Sequence, residues 1–214
     1  SESRQTLDQS TTLLAIPSES NDVHIVDTIT GVIKANLSGH DAKINAVAFD
    51  ASGELVATAD EKGELRIWSI QSGVVQSRIQ AHKDSVNALI FDKDDQVLMT
   101  ASSDGSIRVW DVEEGTEQTG LRIPIRRPVM NLLISPDGSQ IVSGLDDGSI
   151  QSWSMQTGDQ LESRVGTGSS LTDLKWSPDG SRLIAESADG SMRSWNSTTW
   201  DAQIDLSENQ ASEN

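Results

Sequence analysis

The feature that most constrains this chain is a tryptophan that recurs at nearly constant spacing. Trp68, Trp110, Trp153 and Trp195 stand 42, 43 and 42 residues apart. Each ends a short segment of alternating residue character: LRIW, IRVW, IQSW and MRSW. A fixed period of this length indicates one supersecondary unit repeated along the chain. The chain is therefore predicted to fold as an array of similar modules.

The third repeat shows how a module is organised. Alternating segments separated by short turn-forming segments predict four antiparallel strands joined by hairpins, at 85–92, 97–103, 107–112 and 117–123. The same template fits five units, at about 1–38, 39–80, 81–123, 124–165 and 166–206, followed by a polar tail at 207–214 that is predicted to be disordered. Four strands in a repeat of ~40 to 45 residues are typical of a propeller blade. We predict one all-β array over residues 1–206.

Charge and composition narrow the possible partners. Sixteen basic and 33 acidic residues give a net charge of −17, which opposes binding to nucleic acid or anionic membranes. The acidity suits a basic protein partner, or it simply keeps a β-rich surface soluble and discourages edge pairing, which is the interpretation that the sequence favours. There is no cysteine, and the three histidines lie far apart in the sequence, so we predict neither a metal nor a cofactor. The opening segment SESRQTLDQS has no signal-peptide pattern, and we expect a cytoplasmic location.

At this point the chain resembles the WD40 repeat family of β-propellers, over residues 6–206. The resemblance implies one hydrogen-bond network per blade, formed by a histidine after a glycine, a Ser or Thr on the second strand, an Asp before a hairpin glycine, and the recurrent tryptophan. The third unit has all four residues: His82, Thr100, Asp104 and Trp110. The resemblance assigns this set a structural role rather than a catalytic one.

The other units keep only part of the set. The matching residues are His40, Thr58 and Trp68 in the second unit, Ser143, Asp147 and Trp153 in the fourth, and Asp189 and Trp195 in the fifth. In the second unit Lys62 stands at the aspartate position, so we predict that the histidine there has no acceptor and that only the third unit carries a complete network. In the fifth unit, Thr167 occupies the histidine position.

Five units are fewer than the seven blades most common in the resembled family. Three arrangements stay open: a fragment of a larger ring, which the sequence favours, an array completed by another copy or a partner, or a closed five-bladed ring. An incomplete array would leave sheet edges and apolar blade faces exposed. Trp200, which replaces the usual hairpin glycine, is predicted either to cover such an edge or to contact a further blade of a larger ring, and the sequence favours the cover.

The resemblance also implies which loop positions face a binding partner. The matching positions are Lys43, Asn45, Glu61, Ser85, Asn87, Ser103, Pro128, Met130, Asp146, Ser170, Thr172 and Ala188. Arg126 and Arg127 stand out as adjacent cations in an acidic chain. They either bind a carboxylate or phosphate of a partner or pair with acidic neighbours.

The leading hypothesis for function is a noncatalytic scaffold for protein contacts, within a larger signalling or regulatory protein. The alternative is a hydrolase or dehydrogenase that uses the central channel of a propeller. Channel enzymes need convergent acids, histidines or metals, and the inner segments offer chiefly Asn45, Asn87, Asn131 and Asp173. A third possibility is a purely architectural array whose role is edge pairing.

Overall fold

A computed structural model of the chain describes residues 6–7, 13–118, 123–166 and 168–206. The described residues form five four-stranded antiparallel sheets, each built from strands that are consecutive in the sequence. We name these sheets A to E in chain order. The predicted all-β class and the four-stranded blades are confirmed. Thr167 and the tail 207–214 lie outside the described residues.

The strand bounds follow the repeat. Sheet A contains β1 (Thr6–Leu7), β2 (Leu13–Pro17), β3 (Val23–Asp27) and β4 (Ile33–Leu37). Sheet B contains β5 (Ile44–Phe49), β6 (Leu55–Asp60), β7 (Glu64–Ser69) and β8 (Val75–Gln80). Sheet C contains β9 (Val86–Phe91), β10 (Val97–Ser102), β11 (Ser106–Asp111) and β12 (Ile123–Pro124). Sheet D contains β13 (Val129–Ile134), β14 (Gln140–Leu145), β15 (Ile150–Ser154) and β16 (Gln160–Arg164). Sheet E contains β17 (Leu171–Trp176), β18 (Arg182–Ser187), β19 (Met192–Asn196) and β20 (Ala202–Leu206).

The fourth strand of sheet C differs from its prediction over 117–123. Glu117 forms an isolated antiparallel bridge with Trp110, and the assigned strand β12 covers only Ile123–Pro124. Residues 119–122, in the middle of the predicted strand, lie outside the described part of the chain. The two observed pieces flank that segment and both pair with β11.

The chain divides into two compact units, residues 1–126 and residues 127–214. The first unit contains sheets A, B and C, and the second contains sheets D and E. Among the described residues, no helix is long and apolar enough to cross a membrane.

Within each unit, consecutive sheets pack face to face because side chains alternate between the two faces of a strand. We call the face that carries the recurrent tryptophan the leading face, and the opposite one the trailing face. In the first unit, the trailing face of sheet B packs against the leading face of sheet C. Sheet B contributes Ala57, Leu65 and Ile67 to this contact, and sheet C contributes Leu98 and Trp110. The trailing face of sheet A meets the leading face of sheet B in the same way. The apolar core of the first unit thus lies between its sheets.

The second unit repeats this packing and corrects the prediction for Trp200. Trp200 is 5% exposed and belongs to the core cluster between sheets D and E. Arg164, at the end of β16, donates from Nε to the Trp200 carbonyl oxygen at 3.1 Å, and its guanidinium lies 5.8 Å from the centre of the indole ring. The side chain therefore contacts the preceding sheet and does not cover an open edge.

The geometry of this hairpin position explains the correction. In sheet C the same position is Gly115, where an added Cβ would lie 2.7 Å from Ser77 Oγ in sheet B. The position therefore faces the preceding sheet in both units. Trp200 occupies it with a φ of 57°, in the left-handed region that favours glycine. Burial of the indole offsets the cost of this backbone conformation.

Candidate functional site

Sheet C contains the four-residue network that the sequence predicted there. His82 Nδ1 lies 3.1 Å from Asp104 Oδ2, and His82 Nε2 lies 2.6 Å from Thr100 Oγ1. The Trp110 indole N–H donates to Thr100 Oγ1 at 3.0 Å. With the Nδ1 proton directed at the carboxylate, Nε2 accepts the threonine hydroxyl, so each member of the network is satisfied. The network joins β10, β11 and the turn between them to the segment before β9.

Sheet B contains an equally complete network, contrary to the prediction that His40 lacks an acceptor. His40 Nδ1 lies 3.0 Å from Asp60 Oδ2, and Nε2 lies 2.7 Å from Thr58 Oγ1. The Trp68 indole N–H donates to the same hydroxyl oxygen at 2.8 Å. The carboxylate comes from the end of β6, two residues before the predicted position at Lys62. Because side chains two residues apart on a strand share a face, Asp60 points to the same side as Thr58.

Sheets D and E carry reduced versions of the network. Trp153 donates its indole N–H to Ser143 Oγ at 3.2 Å, and Trp195 is 4% exposed. Asp147 and Asp189 each accept hydrogen bonds from the backbone N–H and the hydroxyl of the serine two residues later. In these two sheets the aspartates therefore stabilise hairpin turns.

The electrostatics favour one protonation state for two members of these networks, His40 and Asp104. Burial lowers the pKa of His40 below its ordinary value of 6.5, although the hydrogen bond to Asp60 opposes the shift. Burial by itself raises the pKa of Asp104, but hydrogen bonds from Ser106, from the backbone of residue 83 and from His82 outweigh it, so the pKa lies below its ordinary value of 3.8. These shifts favour a neutral His40 and an ionised Asp104 at neutral pH.

Burial also argues against a catalytic relay in these networks. Thr58 and Thr100 are both 0% exposed, so neither hydroxyl can reach a substrate. Both oxygens already accept a tryptophan N–H. The networks stabilise the sheets and leave no free nucleophile.

One cluster in sheet B has the donor types of a metal site. One ligand-type atom each from His40, Asp60 and Glu64 lies within 4.8 Å of the others. Both carboxylate oxygens of Glu64 are already paired, Oε1 with Arg66 and Oε2 with Arg78. Two adjacent guanidiniums oppose a bound cation, so we assign no metal to this cluster. It is an ion-pair network attached to the His40 set, with Arg66 buried and Arg78 at the surface.

Four of the predicted partner-facing residues form a continuous hydrogen-bond chain across sheets B and C. Asn45 Nδ2 donates to Ser85 Oγ at 2.9 Å, and that hydroxyl donates to Asn87 Oδ1 at 3.0 Å. Asn87 Nδ2 then donates to Ser103 Oγ at 2.9 Å. All four side chains are half-buried, so they have both fixed positions and solvent access.

Lys43 and Glu61 extend this surface. The backbone N–H of Glu61 donates to the Lys43 carbonyl at 2.9 Å, and both residues are exposed. The backbone N–H of Ser103 donates to the Ser85 carbonyl, also at 2.9 Å, which repeats the arrangement in sheet C. We call the six residues at these strand ends the amide-hydroxyl surface: Lys43, Asn45, Glu61, Ser85, Asn87 and Ser103.

The two adjacent arginines have different surroundings. Arg127 Nε lies 3.0 Å from Asp146 Oδ1 and 3.3 Å from Asp147 Oδ2. The structure therefore pairs Arg127 with acidic neighbours, one of the two alternatives that the sequence left open. Arg126 is exposed and adopts a φ of 66°, and its backbone N–H donates to the Gly105 carbonyl at 3.1 Å.

The other predicted contact positions lie in the second unit. Met130 is on β13 and is half-buried, and Thr172 is exposed on β17. The Thr172 hydroxyl donates to the Glu186 carbonyl at 3.2 Å. Asp146 is half-buried and is the residue that pairs with Arg127.

The residues that sequence reasoning missed are Asp60, Glu64, Arg66 and Arg78. Arg66 is 6% exposed, donates to the Gly39 carbonyl at 2.6 Å, and lies 5.6 Å from the centre of the Trp68 ring. Strand alternation could have indicated Asp60. The ion pairs of Glu64 depend on side-chain positions that a repeat pattern does not specify.

These features define a class of protein: an array of β-propeller blades held by buried polar networks. The family model described as "WD domain, G-beta repeat" matches residues 31–69, 73–111, 125–154 and 158–196. The matches cover well over half of the sequence, and the chain belongs to the WD40 family. Three of the four matches, 31–69, 73–111 and 158–196, run from the outer strand of one sheet through the third strand of the next, so these sequence repeats bridge two sheets. The match at 125–154 contains strands of sheet D alone.

A designed protein shares this fold. The crystal structure of the computationally designed Ika8 protein aligns with a TM-score of 0.77 at 23% identity, over 94% of this chain and 60% of that chain. This chain therefore spans about 60% of the length of the design. No curated protein matches the sequence.

Proposed function

We propose that this chain is a noncatalytic protein-interaction scaffold within a larger signalling or regulatory protein, and that the amide-hydroxyl surface is its contact site. WD40 repeats generally serve as protein-interaction scaffolds. The observation that supports this particular surface is the hydrogen-bond chain from Asn45 to Ser103, which joins two sheets.

The hydrogen-bond chain orders polar groups before any partner binds. Each carboxamide in it donates to a neighbouring hydroxyl, which fixes its rotamer and directs its remaining polar atoms. A site whose side chains are already ordered loses less conformational entropy on binding. Carboxamides and hydroxyls both donate and accept hydrogen bonds, so they suit the main-chain amides of an extended peptide.

Charge favours a basic segment as the partner. The chain carries a net charge of −17, and Asp41, Glu61 and Asp84 are exposed near the amide-hydroxyl surface. Electrostatic attraction would act on a basic peptide over a distance set by the ionic strength. Its main effect would be a faster association rate. Nucleic acid and anionic membranes would be repelled by the same field.

A surface variant tests this proposal. Asn87→Ala with Ser85→Ala removes the centre of the hydrogen-bond chain, and Ser72→Ala, in the exposed β7–β8 hairpin, is the matched control. Proteins captured by the wild type and by the control should be lost from the double variant, and their binding should weaken as salt is raised. Equal capture by all three proteins would exclude this surface as the contact site.

The enzyme alternative has a weaker basis in the geometry. Asp173 is the acidic residue that the inner segments offer, and its Oδ2 lies 3.1 Å from Lys175 Nζ. An ion-paired, half-buried carboxylate on one strand is not a convergent catalytic set. Turnover on ester or glycoside panels that disappears with Asp173→Asn would support catalysis and contradict the scaffold proposal.

A further inference from the structure

Arg126 is placed at one end of the amide-hydroxyl surface by its main chain. Its backbone N–H donates to the Gly105 carbonyl at 3.1 Å, and the N–H of Ile125 donates to the same oxygen at 2.7 Å. Gly105 lies in the β10–β11 turn, two residues after Ser103, which ends the hydrogen-bond chain from Asn45. Two hydrogen bonds therefore hold this segment beside the sheet C end of the surface.

The same two hydrogen bonds show which residue Arg126 replaces in the repeat. The backbone N–H groups of Ala81 and His82 donate to the carbonyl of Gly63, the turn glycine of sheet B, at 2.9 and 3.1 Å. The His82 side chain is directed inward and is 0% exposed. Arg126 has the equivalent place after sheet C, but its side chain is exposed. A position that buries a histidine in one repeat thus presents a guanidinium to solvent in the next.

The backbone conformation of Arg126 has a cost that side-chain packing does not offset. Among the described residues other than glycine, asparagine and aspartate, only Arg126 and Trp200 have a positive φ, of 66° and 57°. This conformation is uncommon for residues with large side chains, and it is found most often at functional sites. Burial of the indole offsets it at Trp200, whereas Arg126 is exposed. The conformation therefore points to a function for the guanidinium.

The charge of Arg126 is available to a partner. The following residue, Arg127, pairs with Asp146 and Asp147. Asp104, in the turn beside Arg126, is 12% exposed, and its carboxylate already accepts from a histidine, a main-chain N–H and a serine hydroxyl. Within the described part of the chain, the Arg126 guanidinium has no ion-pair partner.

Two exposed residues of opposite charge, Lys83 and Asp84, also adjoin this turn. The Lys83 N–H donates to Asp104 Oδ2 at 3.1 Å, and the Asp84 carbonyl accepts from the Ser102 hydroxyl at 3.2 Å. The charges of Lys83 and Asp84 balance, so Arg126 gives the three exposed side chains a net positive charge. This end of the surface therefore suits an anionic group, although the chain as a whole is acidic.

We propose that Arg126 binds an acidic side chain of the partner at the sheet C end of the amide-hydroxyl surface. This inference rests on the proposed function and specifies the partner as a basic, extended segment that also carries an Asp or Glu. The planar guanidinium donates two parallel hydrogen bonds to a carboxylate, which makes such pairs strong and directional. A single pair of this kind fixes the register of the partner on the surface.

Selection from a phage-displayed library of random peptides on the wild-type chain tests the proposal. The selected peptides should combine Lys or Arg with an Asp or Glu. Their synthetic forms should bind Arg126→Gly about tenfold more weakly than the wild type, because a charged hydrogen-bond pair is lost. Replacing the acidic residue of the peptide by its amide should cause the same loss, with no further loss in Arg126→Gly.

Two controls separate this effect from unfolding and from general electrostatics. Glycine adopts a positive φ without strain, so the melting temperature of Arg126→Gly should be no lower than that of the wild type. Lys93→Gly removes an equal charge from the exposed β9–β10 turn, at the opposite end of β9, and should bind the peptides as the wild type does.

The variant Asn87→Ala with Ser85→Ala tests the underlying contact site separately. Peptides that lose binding to this double variant but bind Arg126→Gly as tightly as the wild type would overturn the role of Arg126 and leave the contact site in place. Binding that is unchanged in the double variant would overturn both proposals, as would a selection that yields no binding peptide. Tighter binding with phosphoserine in place of the acidic residue would overturn the assignment of a carboxylate.

Discussion

Sheets B and C and sheets D and E carry the same repeat but are held together differently. In sheets B and C, a histidine, an aspartate, a threonine and a tryptophan form a complete buried network. Among the described residues of sheets D and E, this network is reduced to one hydrogen bond, from the Trp153 indole to Ser143 in sheet D. The comparison teaches that the fold needs the packing of sheet faces, while the polar network adds local stability.

A second difference lies one position before the recurrent tryptophan. This position holds Ile67 and Val109 in sheets B and C, both 0% exposed, and Ser152 and Ser194 in sheets D and E. The hydroxyls of both serines are buried without a hydrogen-bond partner among the described residues. A buried polar atom without a partner destabilises the folded state. Both differences predict that the second unit is less stable than the first.

The largest expected effect comes from Asp60→Ala. This carboxylate is 2% exposed and accepts hydrogen bonds from His40 and from two backbone N–H groups. Its loss should destabilise the first unit by about 3 kcal/mol, because buried donors are left unpaired. Chemical denaturation measures the change, with Asp41→Ala, at an exposed carboxylate, as the control. Equal free energies of unfolding for the two variants would show that Asp60 does not stabilise the network.

A smaller effect is expected when the stability lost in Asp104→Ala is compared with that lost in Asp147→Ala. Asp104 orients His82 and caps a turn, whereas Asp147 caps a turn and pairs with Arg127 at the surface. We expect a loss of about 2 kcal/mol for the first and roughly 1 kcal/mol or less for the second. Equal melting shifts for the two variants would show that the histidine contact adds nothing.

The comparison can also be sharpened by making sheet D more like sheet B. Ser152→Val removes a buried hydroxyl without a partner and adds apolar surface at a position that is isoleucine in sheet B. The second unit should gain about 1 kcal/mol. Gln156→Ala, at an exposed side chain in the β15–β16 hairpin, should leave the stability unchanged. A destabilised Ser152→Val protein would mean that sheet D packs too tightly for the methyl groups.

The smallest expected effect is the dependence on pH. Because burial lowers the pKa of His40, the unfolded chain binds a proton more readily than the folded one. This contribution to stability is fully present above pH 6.5 and is lost as the pH falls from there toward the lowered pKa. His40→Gln should flatten the stability curve in that range. A wild-type curve that is already flat there would contradict the buried neutral histidine.

Strand alternation and the tryptophan period were sufficient to predict five four-stranded sheets, because both are properties of the backbone repeat. The network in sheet C could be predicted because each member stands at its usual position. The network in sheet B could not, because its carboxylate has moved two residues along the strand to Asp60. The contact of Trp200 with Arg164 depends on tertiary packing, which the hairpin sequence alone does not specify.

Hydrogen exchange followed by mass spectrometry tests the central comparison most directly. Amide protection rises with the free energy needed to open a segment. The account predicts slower exchange in β6 and β10, which carry the complete networks, than in β14 and β18, which occupy the same place in sheets D and E. Equal exchange in the four strands, or slower exchange in β14 and β18, would contradict it.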